Sequence, residues 1–274
     1  MTVNFKLPKK ILVVHGVQTG TDSELTQNIE IEDNLKRQLA GANIDYSTEM
    51  FRYESINDKA QASVRNALAA LTGNKLVELA VDAVVDIAGD VILALKEGEA
   101  YNEIKQKLKD KIIANYEAQQ PLYIVAHSLG TIYSFDAVND LMKEIDIFKF
   151  NQKETNPVQG LITLGSPLSL DLFARDYQNM ANLIPEDKTI DDDTSLFPWH
   201  NYYDPTDPVV SGNLAGLSFD EAAFANKFRE KTYNMAWDVR SRKVISGKAY
   251  IAAHSAYWND RYVGDGIKQM LIRG

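Results

Sequence analysis

The sequence contains no cysteine. Disulfides, thiolate nucleophiles and zinc–thiolate sites are thereby excluded. Basic residues are in deficit, with 29 Lys and Arg against 38 Asp and Glu and a formal charge of −9. A general nucleic-acid binder needs a basic surface to displace phosphate counterions, so nucleic acid is not expected as a partner. The same deficit weakens electrostatic docking to anionic membranes. Histidine is scarce, with four residues in the chain, so the candidates for imidazole chemistry are few. The apolar run near the start, Ile11 to Val14, is too short for the hydrophobic region of a secretion signal, and no small-residue cleavage site follows it. The expectation is a cytoplasmic protein without stable membrane insertion.

The 274 residues, 45% of them apolar, suit one large α/β domain with a sizeable core. Short apolar runs recur at Ile11 to His15, Leu122 to Ala126 and Val158 to Leu164, residues 44–53 have mixed β character and read as a second strand, and further strands are expected at Trp199 to Tyr203 and 229–237. Helical stretches separate them: one running to about Leu39, then 58–72, 101–118, one through about Lys143, and one from about Ser255. This alternation predicts a mostly parallel sheet with helices on both faces. Helical insertions are expected at about 54–120 and, as a lid-like connection, at about 170–198. Within the first, Lys75 to Lys96 carries Glu78, Asp82, Asp86 and Asp90 every four residues on an otherwise apolar background. That pattern suits a core helix or a lid over an acyl pocket. Four acids, each costing roughly 2.5–3.5 kcal/mol at mid-bilayer, exclude a membrane span.

The stretch YIVAHSLGTIYSF, residues 123–135, carries the sharpest chemistry. An apolar strand stops at Ser128, and a helix-compatible segment begins at once. A serine held on a strained strand-to-helix turn needs small residues two positions to either side, here Ala126 and Gly130. A serine hydroxyl is a weak nucleophile until a base takes its proton and a carboxylate orients that base. Among the histidines, His15 sits in the first loop, His127 adjoins the serine with the chain direction carrying it away from the serine's partner, and His200 reads as a strand residue. His254, late in the chain, is the expected base. The acid is expected in YYDPTDPVV: Asp207 is preferred, Asp204 is the alternative, and Asp171 is more remote. Each of the two preferred candidates precedes proline and so sits in extended or turn backbone. Oxyanion donors are expected from the amides of Leu129 and Val17, the latter beside Gly16 where backbone must approach a ligand.

Taken in order, ILVVHG, IVAHSLGT, LITLGSP, DPTDPV and AHSAYW resemble the landmarks of the α/β-hydrolase superfamily, closest to lipase-like serine hydrolases. AHSLG is similar to the elbow of small bacterial lipases. The resemblance spans Ile11 to Trp258. It implies Ser128 as nucleophile, Asp207 as acid, His254 as base and oxyanion amides at Leu129 and Val17. It also implies a pocket-shaping loop at Gly165-Ser166-Pro167, and neither cofactor nor metal. The expected activity is cleavage of a small-molecule or lipid-like carboxylic ester. An amidase, peptidase or thioesterase with the same triad, or a binding module with an idle triad, stands as the alternative.

Overall fold

Lys9–Val14 (β1), Leu122–His127 (β3) and Gly160–Leu164 (β4) are near-continuous apolar runs, and β3 and β4 are buried along their whole length. Strands of this kind belong in the middle of a parallel sheet, where both faces are covered. The computed structural model describes residues 2–16, 23–53, 98–144, 153–169, 197–211, 237–248 and 251–273. Among them, Tyr46–Phe51 (β2), Phe197–Tyr203 (β5) and Trp237–Lys243 (β6) complete a six-stranded sheet in the order β2-β1-β3-β4-β5-β6. Every adjacent pair is parallel. The strand order reverses at β1, so the carboxyl ends of β1 and β3 form the switch point where such sheets bind ligands.

The period-2 alternation of the strands divides their side chains between two apolar layers. On one face Leu12, Val14, Ile124 and Ala126 pack with Ile104 and Leu108 of α2 (Glu99–Glu117) and with Ile132 and Phe135 of α3 (Leu129–Glu144). On the other face Ile11, Val13, Tyr123 and Val125 meet α1 (Ser23–Gln38) through Ile31 and Leu35. The helix Arg261–Arg273 covers the same face through Val263 and Ile267. The fold class expected from the alternation is thus the one observed.

Two elements differ from expectation. The last strand is Trp237–Lys243 rather than 229–237, and residues 229–236 lie outside the described residues. WDVRSRK alternates charged and apolar types, as an edge strand does, and so lacks the apolar run that marks a central one. The terminal helix does not run from Ser255. A short helix Ile251–His254 and a 3-10 turn Ala256–Asn259 come first. Asp260 then caps the long helix, accepting the amides of Tyr262 at 2.7 Å and Val263 at 3.2 Å. Asn34 of α1 donates to the carbonyls of Trp258 (3.0 Å) and Asp260 (2.8 Å), which anchors the segment just after His254. The helical segments 58–72 and Lys75 to Lys96, Asp171 and the lid-like connection up to residue 196 lie outside the described residues.

Close packing here tolerates no added volume. A Cβ on Gly266 would lie 1.5 Å from the Tyr202 hydroxyl. Tyr202 is fixed in β5 and buried, so neither backbone has room to yield. Gly266→Ala is expected to destabilise the protein by about 3 kcal/mol or more, lowering Tm by roughly 6–12 °C in thermal unfolding. An unchanged Tm would refute this contact.

Candidate active site

Ser128 follows the last residue of β3 and precedes the first residue of α3. Its backbone sits at φ +53°, in the left-handed region that a residue bearing a Cβ avoids. The turn is held by backbone: the Ser128 amide donates to Leu164 O (3.0 Å), and its carbonyl accepts the Thr131 amide (3.0 Å). The Thr131 hydroxyl adds a bond to the same carbonyl at 2.7 Å and lies 2.8 Å from Ser166 Oγ. Ser166 Oγ also accepts the Leu168 amide at 3.3 Å, so it braces the turn from β4.

Both small residues around this turn are demanded by contact. A Cβ on Gly16 would fall 2.4 Å from Ser128 Cβ and 3.0 Å from its Oγ. One on Gly130 would fall 2.3 Å from the His15 carbonyl oxygen and 2.5 Å from that of Val14. Ala126 stands where the related pattern has glycine, and its methyl packs in the α2/α3 layer. Leu129 is buried at the start of α3, a 16-residue helix whose N-terminus favours negative charge. Val17 lies outside the described residues.

Asp207 and His254 come together although 47 residues separate them, with Asp207 Oδ2 2.9 Å from His254 Nδ1. Asp207 is fully buried on the turn after β5, and His254 ends the short helix after β6. A proton on Nδ1 is donated to the carboxylate, which leaves Nε2 as the basic nitrogen. Asp207 Oδ1 accepts the Val209 amide at 2.9 Å, and Oδ2 also accepts the Tyr257 hydroxyl at 2.8 Å.

Asp204 is occupied differently. Its Oδ1 accepts the Thr206 amide (2.9 Å) and hydroxyl (2.7 Å), and its Oδ2 accepts the Ser246 amide (3.0 Å) and hydroxyl (2.6 Å). Burial works to raise its pKa, but the bonds from Ser246 and Thr206 outweigh burial and hold it below the usual carboxylate value. Asp204 therefore ties the turn after β5 to the turn after β6, and Asp207 meets the histidine.

The Asp207–His254 pair adjoins the serine turn by two routes. Gly165, at φ +55°, follows Leu164, whose carbonyl holds the Ser128 amide. A Cβ on Gly165 would lie 2.9 Å from Asp207 Oδ2 and 3.0 Å from His254 Nδ1. The second route corrects the sequence reading of His127. Its ring is not directed away from the base but lies 4.6 Å from the His254 ring, and its Nε2 donates to the His254 carbonyl at 2.7 Å. Alternation along β3 explains this: His127 shares the face of Tyr123 and Val125, where Tyr257 and Trp258 also pack. Burial, then the neighbouring His254, hold the His127 pKa well below its ordinary value, so it stays neutral.

Of the other two histidines, His15 borders the serine turn, with its carbonyl against Gly130. His15 stacks on Tyr53 with ring centroids 4.6 Å apart and accepts the Tyr53 hydroxyl on its carbonyl at 2.8 Å. His200 is buried within β5. Among the described residues no group of three or more His, Asp and Glu is placed to hold a metal ion. No described helix is long and apolar enough to cross a membrane. Sequence reasoning missed Tyr257 and Thr131. Thr131 had a readable signal in its place three residues after the serine, where a hydroxyl reaches back to the turn. Tyr257 had none until the turn after β5 and the 3-10 turn Ala256–Asn259 are placed side by side.

An all-parallel sheet in this order, with a left-handed serine turn after its third strand, a buried aspartate after the fifth and a histidine after the sixth, is the α/β-hydrolase fold. No protein-family model and no curated protein matches the sequence. Among solved structures the chain is similar to a soluble variant of monoglyceride lipase from Saccharomyces cerevisiae (10% identity, 99% of this chain and 88% of that one, TM-score 0.42). It is also similar to a highly thermostable carboxyl esterase from Bacillus coagulans (12% identity, 97% and 88%, TM-score 0.41). A third likeness is to a thioesterase of the prodiginine pathway in Streptomyces coelicolor (10% identity, 100% and 92%, TM-score 0.37).

Proposed function

We propose that this chain is a serine hydrolase that cleaves a carboxylic ester through an acyl-serine intermediate. The observation that carries the reading is the 2.9 Å hydrogen bond between Asp207 and His254, set against a left-handed Ser128. In the proposed reaction His254 Nε2 takes the Ser128 hydroxyl proton while Oγ attacks the ester carbonyl carbon. The resulting oxyanion is met by the Leu129 amide at the head of α3, with the Val17 amide as the second donor. The tetrahedral intermediate collapses, the C–O bond to the alcohol breaks, and His254 returns its proton to the leaving oxygen. Water then repeats the sequence and releases the acid. Asp207 holds the Nδ1–H tautomer and stabilises the imidazolium. His127 holds the His254 backbone, and Ser166 braces the turn.

An acyl or lipid-like ester is the substrate proposed, on the apolar composition of the insertions around 54–120 and 170–198. A cytoplasmic setting belongs to the same reading. The test is covalent labelling by a fluorophosphonate probe, combined with turnover of p-nitrophenyl esters against matched amides and acyl thioesters. Labelling and ester turnover are expected. An unlabelled wild-type chain would sink the reading, and thioester turnover without ester turnover would replace the substrate class.

A further inference from the structure

Tyr257 is fully buried and lies three residues after His254. Its hydroxyl makes two hydrogen bonds whose directions chemistry fixes. The Asp204 backbone amide, 2.8 Å away, can only donate, so the phenol oxygen accepts there. The phenol proton therefore goes to Asp207 Oδ2, also at 2.8 Å. This is the oxygen that meets His254 Nδ1. Burial, and then the Asp207 charge and hydrogen bond, push the Tyr257 pKa well above its ordinary value, so the phenol remains a donor throughout the working range.

We propose that Tyr257 is a positioning residue for the acid: its phenol, seated on the Asp204 amide, fixes the Asp207 carboxylate so that Oδ2 faces His254 Nδ1. The inference rests on the reading of Ser128, Asp207 and His254 as a triad. A carboxylate bound at Oδ1 by the Val209 amide and at Oδ2 by the phenol does not swing when His254 gains or loses its proton. The phenol also draws charge from the oxygen that faces the imidazole. Asp207 meets His254 at Nδ1, Tyr257 meets the same Asp207 oxygen, and the neutral His127 ring lies 4.6 Å from the His254 ring and 6.1 Å from that of Tyr257. Asp204, the other carboxylate near the phenol, is taken up by Thr206 and Ser246.

The test is Tyr257→Phe, which removes one oxygen and keeps the ring. With Oδ2 no longer shared, its full charge favours the imidazolium. The acid limb of kcat/KM is then expected to move up by about half a pH unit, with kcat down about tenfold and KM unchanged. The His254 imidazole, followed by NMR against His254→Gln for assignment, is expected to titrate higher to match. A role in packing alone would lower Tm and leave kcat and the His254 titration where they are, and that result overturns the proposal. Phenylalanine also leaves the buried Asp204 amide without its acceptor. If the variant does not fold, 3-fluorotyrosine at 257 keeps both bonds and makes the phenol a stronger donor. The limb is then expected to move down, and an unmoved limb overturns the proposal. A wild-type chain that neither labels nor turns over esters sinks the triad reading instead. The NMR titration does not depend on turnover and still decides whether the phenol acts on the Asp207–His254 pair.

Discussion

Ser128→Ala is expected to abolish fluorophosphonate labelling and to lower kcat for an ester by about 10⁶-fold, the loss typical when a triad nucleophile is removed. Residual turnover would come from binding and oxyanion stabilisation alone. The variant separates chemistry from folding. The turn is held by the Ser128 amide on Leu164 and by the Ser128 carbonyl on Thr131, both main-chain groups that alanine retains. Circular dichroism and Tm are therefore expected to match wild type. Substantial turnover by folded Ser128→Ala would mean that another group attacks.

The second large effect separates two aspartates three residues apart. Asp207→Asn is expected to cost about 10⁴-fold in kcat, because an amide that donates toward Nδ1 forces the wrong histidine tautomer. Asp204→Asn is expected to leave kcat within about threefold and to lower stability by about 1–3 kcal/mol, through weaker bonds to Thr206 and Ser246. Their pH signatures differ as well. Asp204 has a folded pKa below its unfolded value of about 4. Its contribution to stability is therefore complete above that value and is lost as pH falls through the lower folded pKa. Wild type should lose Tm in that acid window, and Asp204→Asn should lose less. A loss confined to Asp204→Asn would assign the carboxylates the other way, and equal kcat losses in the two variants would deny Asp207 a separate role.

Much of this architecture was legible because central parallel strands and a tight turn leave local marks. The runs of β1, β3 and β4 show their burial directly, and AHSLG shows a serine with small residues around it. What the sequence hid was set by contacts between distant segments. The choice between Asp204 and Asp207 depends on Ser246 and Tyr257, residues supplied by the turn after β6 and the 3-10 turn Ala256–Asn259 far along the chain. His127 was misplaced because adjacency to the serine says nothing about which face of the sheet its ring takes. The last strand was set too early because an edge strand lacks an apolar run. Asp260 stops any helix from running straight through 255–273, a break visible only with its capping bonds in place.

The backbone at Ser128 bears on efforts to engineer this molecule. A left-handed non-glycine residue carries about 1–3 kcal/mol of strain. Glycine would release that strain and return only about 0.4–1 kcal/mol through its freer unfolded chain. Sequence libraries screened for heat resistance alone will therefore drift toward glycine at 128, enriching sturdier proteins that have discarded the hydroxyl. Selection on this scaffold has to couple thermal survival to turnover, or position 128 has to be held fixed while the rest of the chain varies.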